Sequence, residues 1–136
     1  MGGDGVTFID LEFDTGTTGG ALLGDIATSL VSIDELLRDL GSIAAYPSSV
    51  EFRNIEIVAI EMRSPLKIRL SLFGISPEAL TAFQEICRNI ILDREGRLPV
   101  DVEARVNEQE ARRLHGHVTM LQNASIPLKR IEVTEE

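Results

Sequence analysis

Hydrophobic and polar residues alternate along the first part of the chain, residues 6–14. Successive side chains of a β-strand point to opposite faces, so this period of two predicts a strand with one buried face. The apolar positions share one face and the acidic positions share the other: Ile9, Leu11 and Phe13 against Asp10, Glu12 and Asp14.

Apolar residues recur at helical spacing in two longer segments. Asp25 can cap a helix that runs to about residue 45, and its stripe includes Leu37. Ser76, Pro77 and Glu78 mark a second helix start, because a serine cap, a first-turn proline and an early acid all favour one. The stripe of this second helix includes Phe83, so Leu37 and Phe83 are expected to be buried where the two helices meet the sheet.

A third, polar helix is predicted from the Asn107 cap to about residue 123, with Glu110 reaching back to the cap. Leu66 to Leu72 alternates cleanly as a strand, and Ile126 to Val133 suggests a last strand. Residues 98–106 fit either a short strand or the start of the polar helix, and the pattern leaves both open.

The predicted second strand, residues 50–62, is unusual because both of its faces are apolar. Simple alternation gives one face Ile55, Ile57 and Ala59, and the other Val58, Ile60 and Met62. A strand that is apolar on both faces is normally covered on both sides by other parts of the protein or by a partner. It forms a hairpin with the strand that starts at Leu66.

These elements predict an α+β fold: a four-stranded, mainly antiparallel sheet with helices on one face. The element order resembles the ferredoxin-like βαββαβ pattern with an extra C-terminal helix. The chain is predicted to form a single domain over residues 1–136, with flexible ends at 1–5 and 134–136.

Composition narrows the classes of partner. The formal net charge is −9, which opposes direct contact with a phosphate backbone, and no apolar run reaches the length of a membrane span. Cys87 is the only cysteine, so an internal disulfide is excluded and a reducing, cytoplasmic setting is expected. Cys87 falls on an apolar helix stripe, which indicates a core residue.

The loop after the first strand carries the main candidate for chemistry. Asp14, Thr15 and Gly16 resemble the Asp-Thr-Gly of aspartic proteases, which implies a carboxylate that shares a proton with a second one. Asp14, Gly16, Thr17 and Thr18 resemble the phosphate-cradling hairpin of the sugar-kinase, actin and chaperone ATPase superfamily. The long helix that follows argues against the all-β protease fold, and the chain is too short for two nucleotide-binding lobes.

A third resemblance concerns the strand itself. Asp10 is similarly placed to the nucleophile of haloacid-dehalogenase-like phosphatases, but Glu12 departs from their second aspartate. Asp14 is therefore kept as the candidate catalytic residue, and a candidate ligand or cation site comprises Asp10, Glu12, Asp14, Thr17 and Thr18. The favoured interpretation is a solvated strand face followed by an acidic loop whose Asp and Thr bond local backbone.

His115 and His117 do not predict a metal site, because residues i and i+2 of a helix point apart. Two exposed histidines are expected instead, and no metal or other cofactor is predicted.

With no credible catalytic set, the sequence favours a non-enzymatic protein–protein interaction or assembly module that associates with itself. Its expected interface is the second strand: Ile55, Ile57, Val58, Ile60 and Met62. One alternative is an enzyme or a ligand or metal binder that uses the Asp14 loop. The other is an acidic decoy that blocks a basic site on a partner protein.

Overall fold

A computed structural model describes residues 5–16, 23–43, 46, 55–62, 65–92 and 97–135. Strands and helices follow one another as β1 (Val6–Phe13), α1 (Leu23–Ser42), β2 (Ile55–Glu61), β3 (Leu66–Phe73), α2 (Pro77–Ile91), α3 (Val100–Arg105), α4 (Glu108–Gln122) and β4 (Leu128–Glu135). The last strand therefore extends into the range 134–136 that was predicted to be a flexible end.

The strands form one four-stranded sheet in the order β2-β3-β1-β4, and every neighbouring pair is antiparallel. The predicted α+β class and antiparallel sheet are confirmed. The finer ferredoxin-like βαββαβ pattern with one extra helix needs correction, because two helices, α3 and α4, lie between α2 and β4. The undecided residues 98–106 contain α3 and no strand.

Local capping chemistry sets the starts of α2 and α4 as the sequence predicts. The Oγ of Ser76 accepts the backbone N–H of Ala79 at 3.1 Å, and Pro77 occupies the first turn. Asn107 and Glu110 form a reciprocal capping box, with distances of 2.8 and 2.9 Å. Each pair satisfies backbone donors that a helix start leaves without an intrahelical partner.

One face of the sheet holds the core. The antiparallel register sets the buried residues of β1 directly opposite those of β3: Thr7, Ile9, Leu11 and Phe13 against Leu72, Leu70, Ile68 and Leu66. Leu37 of α1 and Phe83 of α2 are 0% exposed, as predicted. The core therefore lies between this face, called here the helix face, and the helices. The opposite face is called the open face.

A β-bulge corrects the predicted alternation of β2. Ile57 lies opposite Leu70, but Ala59 lies opposite Arg69, so Val58 is an extra residue in the strand. Because a bulge shifts every later side chain by one position, Ile60 returns to the helix face that Ile57 already occupies. Simple alternation had assigned these two isoleucines to opposite faces.

We expect Phe83→Ala and Leu37→Ala each to lower the free energy of unfolding by roughly 2–5 kcal/mol, since each leaves a cavity in a closed core. Urea denaturation monitored by circular dichroism measures the change. Leu92→Ala is the matched control, because Leu92 is 62% exposed at the end of α2. Unchanged midpoints for both core variants would contradict this account of the core.

Candidate functional site

On the open face, both Asp10 and Glu12 of β1 have a basic residue as a neighbour in the register of the sheet. In the register of the sheet, Asp10 lies between Arg69 of β3 and Glu132 of β4, on the two neighbouring strands. The Nε of Arg69 lies 3.4 Å from the Oδ1 of Asp10. The guanidinium of Arg69 also lies 4.5 Å from the ring centroid of Phe8, a cation–π contact. The carboxylate of Asp10 is thus held within the sheet itself.

Glu12 has the same kind of environment. It lies between Lys67 and Arg130, and the Nη1 of Arg130 is 3.8 Å from the Oε2 of Glu12. Cations from the neighbouring strands thus offset the acidic face that the sequence suggested. Across the described ranges, no group of three or more His, Cys, Asp or Glu residues is suited to hold a metal ion.

Asp14 builds the turn that leaves β1. Its Oδ1 accepts the backbone N–H of Gly16 at 2.8 Å, and the Nζ of Lys129 lies 3.4 Å from its Oδ2. Its own N–H donates to the carbonyl of Pro127 at 2.9 Å. Gly16 has a φ of +79°, a conformation that glycine adopts without steric cost. Both carboxylate oxygens therefore contact groups of the loop and of β4.

These contacts also set the charge of Asp14. The hydrogen bond from Gly16 is the main cause that holds the pKa of this carboxyl below its ordinary value. Burial opposes this effect to a smaller extent, and the nearby Lys129 ammonium also lowers the pKa. A carboxyl held ionised in this way does not behave as a general acid near neutral pH. Thr17 and Thr18, the other candidates of this loop, lie outside the described residues.

Cys87 lies in the core, as predicted, with 0% exposure. Burial raises the pKa of its thiol far above the usual range. Because the thiolate is the reactive form of cysteine, the side chain serves packing in this environment.

His117 corrects the expectation of two exposed histidines. Its Nε2 lies 2.6 Å from the Oδ2 of Asp39, its Nδ1 lies 3.5 Å from the Oε2 of Glu35, and its side chain is only 16% exposed. Only His115 is exposed as expected. Since Glu35 and Asp39 belong to α1, the imidazole fastens α4 to α1. His117 and Asp39 are 78 residues apart in sequence, so no local signal joins them.

The most exposed apolar surface among the strands is β2, which lies at one end of the sheet. Of the predicted interface residues, Ile55 is partly buried and packs against the core. The others are about half exposed: Ile57 51%, Val58 51%, Ile60 49% and Met62 50%. These four residues, together with the exposed Glu56 and Glu61, are called here the β2 edge.

The other end of the sheet has a different character. β4 contributes only Leu128 to the buried core, and its exposed residues include Lys129, Arg130 and Glu132. Charged side chains on an end strand oppose pairing with another chain. The two ends of the sheet are therefore unequal, since β2 exposes a row of apolar side chains and β4 mainly charged ones.

Comparison of the chain with protein families, with curated proteins and with solved structures finds no match. Among the described residues, no helix has the length and apolar character needed to cross a membrane.

The Asp14 contacts predict a specific dependence on pH. A carboxyl whose folded pKa lies below the ordinary 3.8 stabilises the fold above that value, and this contribution disappears as the pH falls through the folded value. Asp14→Asn keeps an oxygen acceptor for Gly16 but loses the charge. We expect wild type to be more stable than Asp14→Asn at neutral pH, with the difference shrinking below pH 3.8.

Urea denaturation between neutral pH and pH 2.5 measures both proteins. Asp14→Ala, which also removes the acceptor, should be less stable than Asp14→Asn throughout. A stability difference between wild type and Asp14→Asn that stays constant over this range would contradict the assignment.

The contact of His117 in α4 with Asp39 in α1 is expected to stabilise the fold. His117→Ala should lower the free energy of unfolding by about 1.5–3 kcal/mol, the usual contribution of a hydrogen bond to a charged group. His115→Ala is the matched control, because that histidine is exposed on the same helix. In a double-mutant cycle with Asp39→Ala, additive losses would show that the two side chains do not interact.

Proposed function

We propose that this chain is a non-enzymatic protein–protein interaction or assembly module that makes its contact through the β2 edge. The observation that supports this most directly is the half-exposed row of Ile57, Val58, Ile60 and Met62 on an end strand. Contiguous exposed apolar residues with a polar rim are typical of contact surfaces.

Strand addition is the mode of contact that fits an end strand. A chain laid beside β2 gains backbone hydrogen bonds along the strand and apolar contacts from alternate side chains. Within the part of the chain that the structure describes, β2 pairs with β3 on one side and with no strand on the other. The backbone groups and the exposed side chains of β2 are therefore both available to an incoming chain.

The two alternatives have less support. An enzyme or ligand binder at Asp14 would need a carboxylate free to act, whereas Gly16 and Lys129 contact both of its oxygens. An acidic decoy would need carboxylates gathered on one surface, whereas Asp10 and Glu12 of the open face lie beside Arg69, Lys67 and Arg130. The interaction module accounts for β2, which neither alternative uses.

The cellular setting is part of the proposal. A reducing compartment such as the cytoplasm suits a chain whose one cysteine is a buried, free thiol. A second copy of this chain and a different protein are both compatible with strand addition, and a contact of either kind would occupy the same edge.

Site-specific photo-crosslinking in the native cell tests the contact surface. A benzoylphenylalanine in place of Val58 should give adducts of higher mass, because this residue is the bulge of the β2 edge. The matched control replaces Val100, which is 81% exposed on α3. Equal adduct formation at the two positions, or none at Val58 when the variant folds with an unchanged melting temperature, would overturn the proposal.

A further inference from the structure

We infer that the occupant of the β2 edge is an extended segment of a basic protein, which adds as a fifth strand with Lys or Arg opposite Glu56 and Glu61. This inference rests on the proposed function and adds to it the chemistry of the partner. It follows from the bulge, from two glutamates without an ion pair among the described residues, and from the charge of the chain.

The bulge gives the β2 edge a regular pattern. Glu56 lies opposite Ser71 and Glu61 opposite Lys67, so both glutamates are on the open face. Ile57 and Ile60 lie on the helix face. Residues 58 and 59 form the bulge and count as one position. The order from residue 56 to residue 61 is then an acidic residue, an apolar residue, the bulge, an apolar residue and an acidic residue.

A regular strand of five residues can match this pattern face by face. Residues directly opposite one another in an antiparallel pair share a face, and each favourable cross-strand pair contributes roughly 0.2–1 kcal/mol. The second and fourth residues of the incoming strand would lie on the helix face, against Ile60 and Ile57. Its first and fifth residues would lie on the open face, opposite Glu61 and Glu56.

The side chains suited to those outer positions are cationic. Among the described residues, neither Glu56 nor Glu61 forms an ion pair, although Lys67 is the register neighbour of Glu61. Asp10, Glu12 and Asp14, by contrast, each have a cation within 4 Å. A chain of net charge −9 also attracts a basic partner at long range. Lys or Arg in the incoming strand would pair with the two glutamates that the sheet leaves unpaired.

A second copy of this chain fits the same edge less well. A two-fold axis normal to the sheet can set Ile57 opposite Ile60 of a second copy, which matches the apolar residues. The same register sets Glu56 opposite Glu61 of the second copy. The two-fold axis produces the same contact a second time, between Glu61 of the first copy and Glu56 of the second. Like charges directly opposite one another destabilise a strand pair, and each chain brings a net charge of −9. The self-association expected from the sequence is therefore not the occupant inferred here.

Fluorescence polarisation of labelled peptides with the 136-residue chain tests the inference. The probe contains the core Lys-Val-Thr-Val-Lys between Gly-Ser flanks. One comparison peptide carries Glu in place of both lysines, and another has the rearranged core Val-Lys-Thr-Lys-Val, which keeps composition but exchanges the faces. We expect the probe to bind about tenfold or more tighter than either comparison peptide, and to weaken as salt is added.

Charge reversal on the protein gives the matched control. The double variant Glu56→Lys, Glu61→Lys should prefer the acidic peptide. The double variant Glu103→Lys, Glu135→Lys makes the same change in net charge at exposed positions on α3 and β4, and should keep the wild-type preference. A reversal in both double variants would show that net charge alone selects the peptide, and would overturn the inference.

Two further outcomes would also overturn it. One is equal binding of the three peptides by wild type. The other is a mass by light scattering of twice 14.9 kDa that added probe does not reduce, because a second copy would then hold the edge. Neither outcome changes the crosslinking expected at Val58. The inferred partner can therefore be wrong even if the β2 edge is the contact surface.

Discussion

The antiparallel register between β1 and β3 is the constraint on which the rest of the molecule depends. It sets Leu11 opposite Ile68 and Ile9 opposite Leu70, so one face of the central pair is apolar apart from Thr7. A slip of one residue would turn that face to solvent, and the core under α1 and α2 would be lost. Burial of this one face thus fixes where every other side chain of the two strands can lie.

The polar features follow from that constraint. Once the apolar residues are committed to the helix face, the charged residues of β1 must share the open face with Arg69 and Lys67, and ion pairs result. Asp14 continues the same strand into a turn, where Gly16 and Lys129 hold it. In the sequence, the acidic residues of β1 and Asp14 resemble a functional site. In the structure they belong to the sheet and to the turn that follows β1.

Features with local causes could be predicted from the sequence. The start of α2 at Ser76 and the box between Asn107 and Glu110 depend on residues within one turn of each other. The bulge at Val58 could not be foreseen, because it is defined by pairing with β3 and the apolar residues around it are compatible with either face. The contact between His117 and Asp39 could not be predicted either, because it joins distant parts of the chain. The same holds for the cations beside the acidic residues of the open face, since their positions depend on which strands are neighbours. Residues 98–106 alternate like a strand, yet they form one short helix whose buried residue is Val102.

The bulge has a consequence for how far an assembly built on this edge can grow. A bulge bends its strand and increases its right-handed twist. Fibrils that extend without limit need flat strands which each new chain can copy in register, as in cross-β stacking. The incoming strand that we propose is regular and carries no bulge, so it would not reproduce the edge that it pairs with. The geometry at Val58 therefore favours a complex of defined size over an open-ended polymer.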